Sequence, residues 1–557
     1  LSLFQTNINA IVSGLYAHGV TDVVISPGSR NAPIIMSFVR YPHFQCWSIP
    51  DERSAGFIAL GMAKAQLKPV VLLCTSGSAL VNYYPAIVEA YYMQVPLIVI
   101  SADRPEKMLD RWDGQTIHQF DIFNRHVYGS YQTPENLDAN QFSKIFEITD
   151  QLYLQCNEAI KGPVHLNVPL REPLYEAANT IFEYPEYKRV KKTEVNEVEW
   201  EIGIDSEHFF HDFPKVMVLL GANDPSEAYC ELKEIENHRF ALVIADVISN
   251  AHAYGTFKNI ELYLLSANEA QKKLLAPDLL ITTGQMIISK PLKQILRSNP
   301  PKQHWHIADN GYCADPFFSQ PEILQMNPLD FFKQFKKYLP QVQSKYVSDI
   351  SKNIEQLKGK IYRSEFGELS AIREVLNALP EKIGLHLSNS MTIRNVSFLG
   401  EYLKENWCVY GNRGVSGIDG CTSTAVGMAL AQPNIMQVLI TGDVAFFYDI
   451  NAFWHSYSIH NLKVVLMNNS GGGIFDIIDG PSQLPELNPY IKTPHQFNAK
   501  DIANHYKLNY FCANDYNSLK DALKAFLQSE TCSILEIQTD SIINQSIIKN
   551  IKSIQYE

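Results

Sequence analysis

Residues 437–475 read QVLITGDVAFFYDINAFWHSYSIHNLKVVLMNNSGGGIF. Two apolar runs, QVLITG and LKVVLM, have the length and the Val/Ile/Leu content of buried strands. Between them, AFFYDINAFWHSYSIH has helical spacing. Together they form one β-α-β unit, whose crossover is almost always right-handed, so the two strands run parallel. Asp443 closes the first strand and Asn469 the second, 26 positions later (469 − 443). Both therefore lie on the carboxyl edge of the sheet, where open α/β sheets bind ligands. A carboxylate beside an amide oxygen suits a hard divalent cation, which takes oxygen ligands and completes its shell with phosphate oxygens. Glycines at 471–473 let backbone approach such a ligand closely and offer it a carbonyl or N–H. An aspartate helix cap followed by an Asn-Gly turn would use the same residues, and the pattern alone leaves both readings open.

The alternation extends in both directions. Early in the chain, TDVVISPGS, PVVLLCTSGS and PLIVISADRP read as strands, with SAGFIALGMAKAQ and ALVNYYPAIVEAYYMQ as helices between them. Continuous apolar strands alternating with helices predict a parallel sheet covered on both faces. A charged stretch at 180–203 reads as a linker. Beyond it KVMVLLGAND, FALVIADV and DLLITTGQ repeat the pattern. A polar helical segment from Gln341 leads to a third set, IGLHLSNS, QVLITGDVA, LKVVLMNNS and CSILEIQT. The expectation is three successive doubly wound α/β domains, at 1–180, 204–335 and 365–557, in keeping with roughly 150 residues per domain.

Composition removes several classes of function. Apolar residues are 46% and charged residues 19%, as in a globular protein with a sizeable core. A net charge of −12 argues against a nucleic-acid partner, which would call for a basic face. The nine cysteines are scattered and form no CxxC, which suits free thiols in a reducing cytoplasm better than a disulfide frame or zinc site. The opening LSLFQTNINAIVSGL has neither a basic n-region nor a long apolar core, so a signal peptide is not expected. No apolar run approaches a membrane span. A GxGxxG after a strand, the mark of a dinucleotide site, is missing.

Further polar residues gather at predicted strand ends. Glu52, in IPDERSAGFIALGMAKA, opens an Ala/Gly-rich helix, where an acid is favoured by the helix dipole in any case. Ser29 and Arg30 follow the first strand in ISPGSRNAPI. Arg104 and Gln115 follow another in SADRPEKMLDRWDGQ. Ser390 and Arg394 lie in LSNSMTIR, and Arg413 and Ile418 in GNRGVSGIDG. Any one of these arginines suits an ordinary ion pair. Four on the ligand edge of an acidic protein point to anionic ligands, since the guanidinium fork matches carboxylates bidentately.

GD followed 26 positions later by NN resembles the thiamine diphosphate (ThDP) fingerprint, with Val444 in place of the glycine of the commoner GDG form. More specifically, SPGSRNAP, DERSAGFIALGMAKA, TSGSALVNYYPAIVEA, SADRPEK, GNRGVSGIDG, TGDVAFFYD and NNSGGGIF resemble the 2-succinyl-5-enolpyruvyl-6-hydroxy-3-cyclohexene-1-carboxylate synthase family of menaquinone biosynthesis. The first and third domains carry the likeness; the middle one offers only Ser289-Lys290. This resemblance implies a transferase that decarboxylates 2-oxoglutarate and adds the succinyl-semialdehyde carbanion to isochorismate. It implies ThDP with Mg²⁺ or Mn²⁺ held by Asp443, Asn469 and Gly471, and Glu52 on the cofactor's aminopyrimidine ring. Ile418 would bend the cofactor, and Ile474 and Phe475 would pack along it. Ser390 and Arg394 would hold 2-oxoglutarate, and Ser29, Arg30, Arg104, Gln115, Lys290 and Arg413 isochorismate. The family's active sites lie between subunits, so a homodimer or homotetramer is implied. Another ThDP carboligase or 2-oxo-acid decarboxylase would share Glu52, Asp443 and Asn469 without needing the four arginines. A non-catalytic ThDP-binding protein would not need Glu52.

Overall fold

A computed structural model describes residues 3–135, 141–172, 174, 180–187, 206–224, 229–252, 258, 260–357, 365–477 and 480–554. Its strands form three sheets. The first contains β1 (Asp22–Ile25), β2 (Gln45–Ser48), β3 (Val70–Cys74), β4 (Leu97–Asp103), β5 (Ser130–Gln132) and β6 (Val164–Pro169), in the order β2-β1-β3-β4-β6-β5. The second contains β7 (Val216–Leu220), β8 (Ala241–Ala245), β9 (Leu279–Thr283), β10 (Gln303–Ile307) and β11 (Glu322–Leu324), in the order β11-β10-β9-β7-β8. The third contains β12 (Gly384–Leu387), β13 (Cys408–Tyr410), β14 (Gln437–Gly442), β15 (Leu462–Asn468), β16 (Asn509–Ala513) and β17 (Ser533–Gln538), in the order β13-β12-β14-β15-β17-β16. β1–β3, β12–β14 and β14–β15 are parallel pairs, as the sequence pattern predicts. The first and third sheets share one strand order, 2-1-3-4-6-5. In each, the chain leaves strand 1 and strand 3 toward opposite sides, which opens a crevice at their carboxyl ends.

The central strands are apolar because both faces are covered: every residue of VVLLC in β3, LLITT in β9 and LKVVLMN in β15 is buried. Lys463 is tolerated inside β15 because its ammonium donates to Ser529 O (2.5 Å), Thr531 O (2.9 Å) and Ser533 Oγ (3.3 Å). Two segments are less helical than their spacing predicts. ALVNYYPAIVEAYYM breaks at Tyr83 into Ser78–Asn82 and Tyr84–Met93, because Pro85 cannot donate to the preceding turn. The crossover from β14 to β15 has only the helix Asp443–Tyr448 and a 3₁₀ turn, Ile450–Phe453. Asp449, buried between them, spends its carboxylate on Ser423 N (2.7 Å) and Ser423 Oγ (2.6 Å).

The described residues fall into two compact units. One is drawn from Leu1–Asn196, Asn412–Asn434 and Phe447–His460, the other from Glu197–Gly411, Ile435–Phe446 and Asn461–Glu557. Within the first, helix Glu52–Gln66 packs on Cys421–Ala431 with backbones touching. A Cβ on Gly61 would stand 2.1 Å from Thr424 O, and one on Gly427 2.1 Å from Ile58 O, so the Ala/Gly-rich sequence is a condition of this approach. The start of the expected linker is not free: Tyr184 Oη donates to Ser37 O (2.6 Å) and Asn9 Nδ2 to Glu183 O (2.8 Å). The rest of it, 188–203, lies outside the described residues, as does 358–364 of the polar helical segment, whose helix is Lys345–Glu355. In the second unit one apolar core runs through both the second and third sheets, from Met217 and Leu219 to Leu535 and Ile551. Asn250 joins them as a false strand, its Nδ2 donating to Val409 O (3.0 Å) and its Oδ1 accepting Val409 N (2.6 Å). All nine cysteines are free thiols. No helix among the described residues is long and apolar enough to cross a membrane.

Candidate active site

In the first unit Glu52 is the first residue of its helix, with Asp51 as the cap accepting Ser54 N (3.3 Å). Glu52 is half-buried, and Asn82 Nδ2 lies 3.5 Å from its Oε2. Buried Cys74 and Tyr83 lie within its field, and burial pushes both their pKa values up. The next residue fixes the helix start. Arg53 donates to Asp419 O, to Tyr448 O (3.3 Å) and to Asp449 Oδ1 (3.0 Å). Burial pushes Asp449 up to about 6 in spite of that arginine.

Ser29 is exposed at the end of the loop after β1, while Arg30 is buried, donating to Leu170 O (3.0 Å) and Glu172 Oε1 (3.1 Å). Burial lowers the Arg30 pKa, and the nearby charge of Arg104 lowers it further, so these two predicted anion binders are neighbours. Arg104, after β4, donates Nε to Gly114 O (2.9 Å), which ties the 104–115 loop back on itself. Gln115 is exposed at φ +58°, and its backbone packs on Gly77 of the loop after β3. Gln119 locks that contact: its Oε1 accepts Gly77 N (2.8 Å) and its Nε2 donates to Ala102 O (3.1 Å). Arg413 and Ile418, both half-buried, share the loop after β13, which Glu89 holds by accepting Gly414 N (2.7 Å) and Val415 N (2.8 Å).

In the second unit the loop after β15 folds onto Asp443. Asp443 Oδ2 accepts Asn469 N (3.1 Å) and Gly471 N (3.0 Å), and Oδ1 accepts Val444 N (2.7 Å). His495 Nε2 is 3.3 Å from the same carboxylate. Gly471 has φ +152°, and a Cβ there would meet Lys492 O at 3.0 Å, so only glycine suits this turn. Asn469 Nδ2 donates to Glu368 Oε1 (2.9 Å), whereas Asn469 Oδ1 is buried with no partner among the described residues. Burial, then the charge of Asp443, pushes Glu368 up to about 7; burial also raises Asp443 against its three N–H donors. Ile474 and Phe475 lie half-buried on the 3₁₀ turn Gly473–Asp476.

Ser390 caps helix Met391–Phe398 at φ +76°. Arg394 sits inside that helix rather than in the loop, with Nη1 donating back to Ser390 O (2.6 Å). Lys290 is the exposed first residue of helix Lys290–Ser298, capped by Ser289. Half-buried Glu261 connects the two places: it is hydrogen bonded to Ser289 and lies within the field of Arg394 and Lys293. The second sheet's domain thus reaches the Arg394 helix.

Among the described residues no three His, Cys, Asp or Glu side chains gather as a metal cage. The Asp443–Asn469–Gly471 cluster is of another kind: one carboxylate, one amide oxygen and a backbone turn. An unpartnered buried Oδ1 beside a carboxylate is what a hard cation would satisfy, so these residues fit Mg²⁺ or Mn²⁺.

Glu89, Arg53, Asp449, Gln119, Glu261 and Glu368 escaped the sequence reading. Glu89 carries a faint signal, a lone acid inside the apolar helix YPAIVEAYYM, where an acid needs a partner to be buried. Glu368 reads as an ordinary helix-start acid.

Residues 6–123 match the thiamine pyrophosphate enzyme N-terminal TPP binding domain, 220–387 the middle domain of thiamine pyrophosphate enzymes, and 398–537 the C-terminal TPP binding domain. Proteins named 2-succinyl-5-enolpyruvyl-6-hydroxy-3-cyclohexene-1-carboxylate synthase are similar over almost the whole length. That of Flavobacterium johnsoniae is 39% identical over 552 residues, covering 97% of each chain. That of Cytophaga hutchinsonii is 40% identical over 560 residues, with the same coverage. That of Bacteroides thetaiotaomicron is 34% identical over 552 residues, covering 98% of each. Benzoylformate decarboxylase from Polynucleobacter necessarius shares the fold, with a TM-score of 0.70 at 17% identity over 96% of this chain and 99% of that one.

Proposed function

Since the chain belongs to the 2-succinyl-5-enolpyruvyl-6-hydroxy-3-cyclohexene-1-carboxylate synthase family, we infer that it is a ThDP-dependent transferase of menaquinone biosynthesis. Its substrates are 2-oxoglutarate and isochorismate. When bound, ThDP would supply the carbon nucleophile for decarboxylating 2-oxoglutarate and transferring the remaining unit to isochorismate. The chain's residues bind, orient and manage protons around that chemistry. Asp443, Asn469 Oδ1 and the backbone at Gly471 would hold the divalent metal that accompanies ThDP. Ile474 and Phe475 would pack along the cofactor, with Ile418 as the apolar wedge against it. Glu52 holds a proton at N1′ of the aminopyrimidine ring, the role for which an acid at a fixed helix start is suited.

Both substrates are dicarboxylic acids, which accounts for the number of cationic anchors. Ser390 and Arg394 receive the distal carboxylate of 2-oxoglutarate. Arg30 and Arg104, neighbours in the field of Glu172 and Asp103, receive isochorismate with Ser29, Gln115, Lys290 and Arg413. The cofactor's pyrimidine side comes from one subunit and its diphosphate side from a partner, in a cytoplasmic homodimer or homotetramer. The observation that carries the cofactor site is the buried, unpartnered Asn469 Oδ1 next to Asp443.

Purified protein with ThDP, Mg²⁺, 2-oxoglutarate and isochorismate should consume isochorismate and release CO₂, each only when all components are present. CO₂ release without isochorismate loss would mean a different acceptor. Glu52→Gln should lower turnover by about 10²–10⁴-fold while calorimetry still detects ThDP binding. Turnover at the wild-type rate would remove Glu52 from the proton path.

A further inference from the structure

We propose that Glu368 is a positioning residue that turns the Asn469 amide so that its oxygen, and not its NH₂, faces the cofactor's metal. This rests on the reading of Asp443 and Asn469 as metal ligands. An asparagine amide has two near-isosteric ends, one a donor and one an acceptor. Turned the wrong way, Asn469 would aim an NH₂ at a cation. Glu368 removes the choice by accepting Asn469 Nδ2 at 2.9 Å on Oε1, which leaves Oδ1 on the opposite side. Its other oxygen accepts Asn395 Nδ2 at 3.2 Å, and its own backbone N–H donates to Asn544 Oδ1 at 2.8 Å. The carboxylate is thus held on both oxygens and at the main chain.

Packing does not call for this residue. A second acid near Asp443, in a site where Glu368 is 7% exposed, is unfavourable for the protein without its metal. An apolar side chain at the same helix start would serve the core better. What the acid provides is two acceptors for two amide donors. Those donors belong to different elements: Asn469 to the loop after β15, and Asn395 to the helix that also carries Arg394. One carboxylate therefore ties the metal loop to the helix read as binding the donor acid.

The requirement for two acceptors gives a specific test. Glu368→Gln keeps the shape but presents one acceptor and one donor, so one of the two asparagines must turn. Adding Asn395→Asp gives the glutamine NH₂ an acceptor again and restores the charge. Mg²⁺ would be titrated at fixed ThDP and followed by tryptophan fluorescence, with melting of the cofactor-free proteins as the check on folding. Glu368→Gln should raise the half-saturating Mg²⁺ by about 10–100-fold, the usual effect of losing a residue that orients a ligand. The Glu368→Gln/Asn395→Asp protein should return to within a few-fold of wild type, and Asp443→Ala should show no saturable Mg²⁺ response.

A wild-type midpoint for Glu368→Gln and also for Glu368→Leu, which leaves Asn469 Nδ2 no acceptor at all, with Asp443→Ala still defective, would overturn the proposal and leave the metal site standing. An unaltered response in Asp443→Ala would overturn the metal site itself. Were Glu368→Gln alone not to fold, the double variant carries the test, and a folded double variant weakened more than about tenfold would sink the orienting role.

Discussion

Two loops in this protein are held by the same device, and only one of them builds a ligand site. Glu89 takes two backbone N–H groups from the 412–420 loop, one on each oxygen. Asp443 takes two from the 469–471 loop on a single oxygen. Both acids are buried, and burial raises both pKa values. They differ in what the loop adds. The first loop brings N–H donors and, at Asp419, an acid within the field of Glu89. The second brings Asn469 Oδ1, unpartnered, and through Asn469 Nδ2 a second acid, Glu368. One oxygen acceptor is then left without a donor beside a carboxylate in a buried place, which is the condition a divalent cation satisfies. Holding a loop needs one carboxylate; a metal site needs a surplus.

Matched amide substitutions would separate the two roles. Asp443→Asn should have the largest effect, because it removes a charge from the metal as well as an acceptor from the loop. Saturable, Mg²⁺-dependent ThDP binding should fall by at least about 100-fold, read by calorimetry. Glu89→Gln should be milder. Glutamine keeps one acceptor and turns an NH₂ toward the other N–H, a loss of about 1–3 kcal/mol. A lower melting temperature and a higher apparent KM for isochorismate are expected, since Arg413 rides on that loop, with ThDP binding intact. Should Glu89→Gln lose ThDP binding as Asp443→Asn does, the distinction between the two loops would collapse.

Legibility in the sequence followed the same division. The parallel strands were plain because strands covered on both faces must be largely apolar along their length, as in VVLLC and VMVLL. Asp443, Asn469 and Glu52 were visible because strand ends and helix starts are where polar residues interrupt apolar runs. Short edge strands such as Gln45–Ser48 and Glu322–Leu324 were silent, since half-exposed edges need no apolar pattern. Glu89, Glu368 and Asp449 were hidden for a different reason. Each is defined by partners far away in sequence: 325 residues separate Glu89 from Gly414, 101 Glu368 from Asn469, and 396 Asp449 from Arg53. Periodicity reports which face of an element is buried, and says nothing of which buried acid will find donors.

Asp449 is a third buried acid, and its replacement should alter stability, by less than the other two, and leave cofactor binding alone. Unlike the other two it has an arginine, Arg53 at 3.0 Å, as well as Ser423 N and Oγ. Even so, burial holds its native pKa at about 6, above the 3.8 of an ordinary aspartate. Between those values the native state binds more protons than the unfolded chain, so the share of stability due to Asp449 is present below about 4 and is lost as pH rises through about 6. Asp449→Asn removes this titration and keeps an acceptor for Arg53. The melting temperature of wild type relative to Asp449→Asn should therefore decline between pH 4 and pH 6 and level off above it. A difference that stayed flat would mean that Arg53 compensates the buried charge in full. Asp449 would then be a plain ion pair, and the surplus of acceptors would set Asp443 apart from both of the other acids.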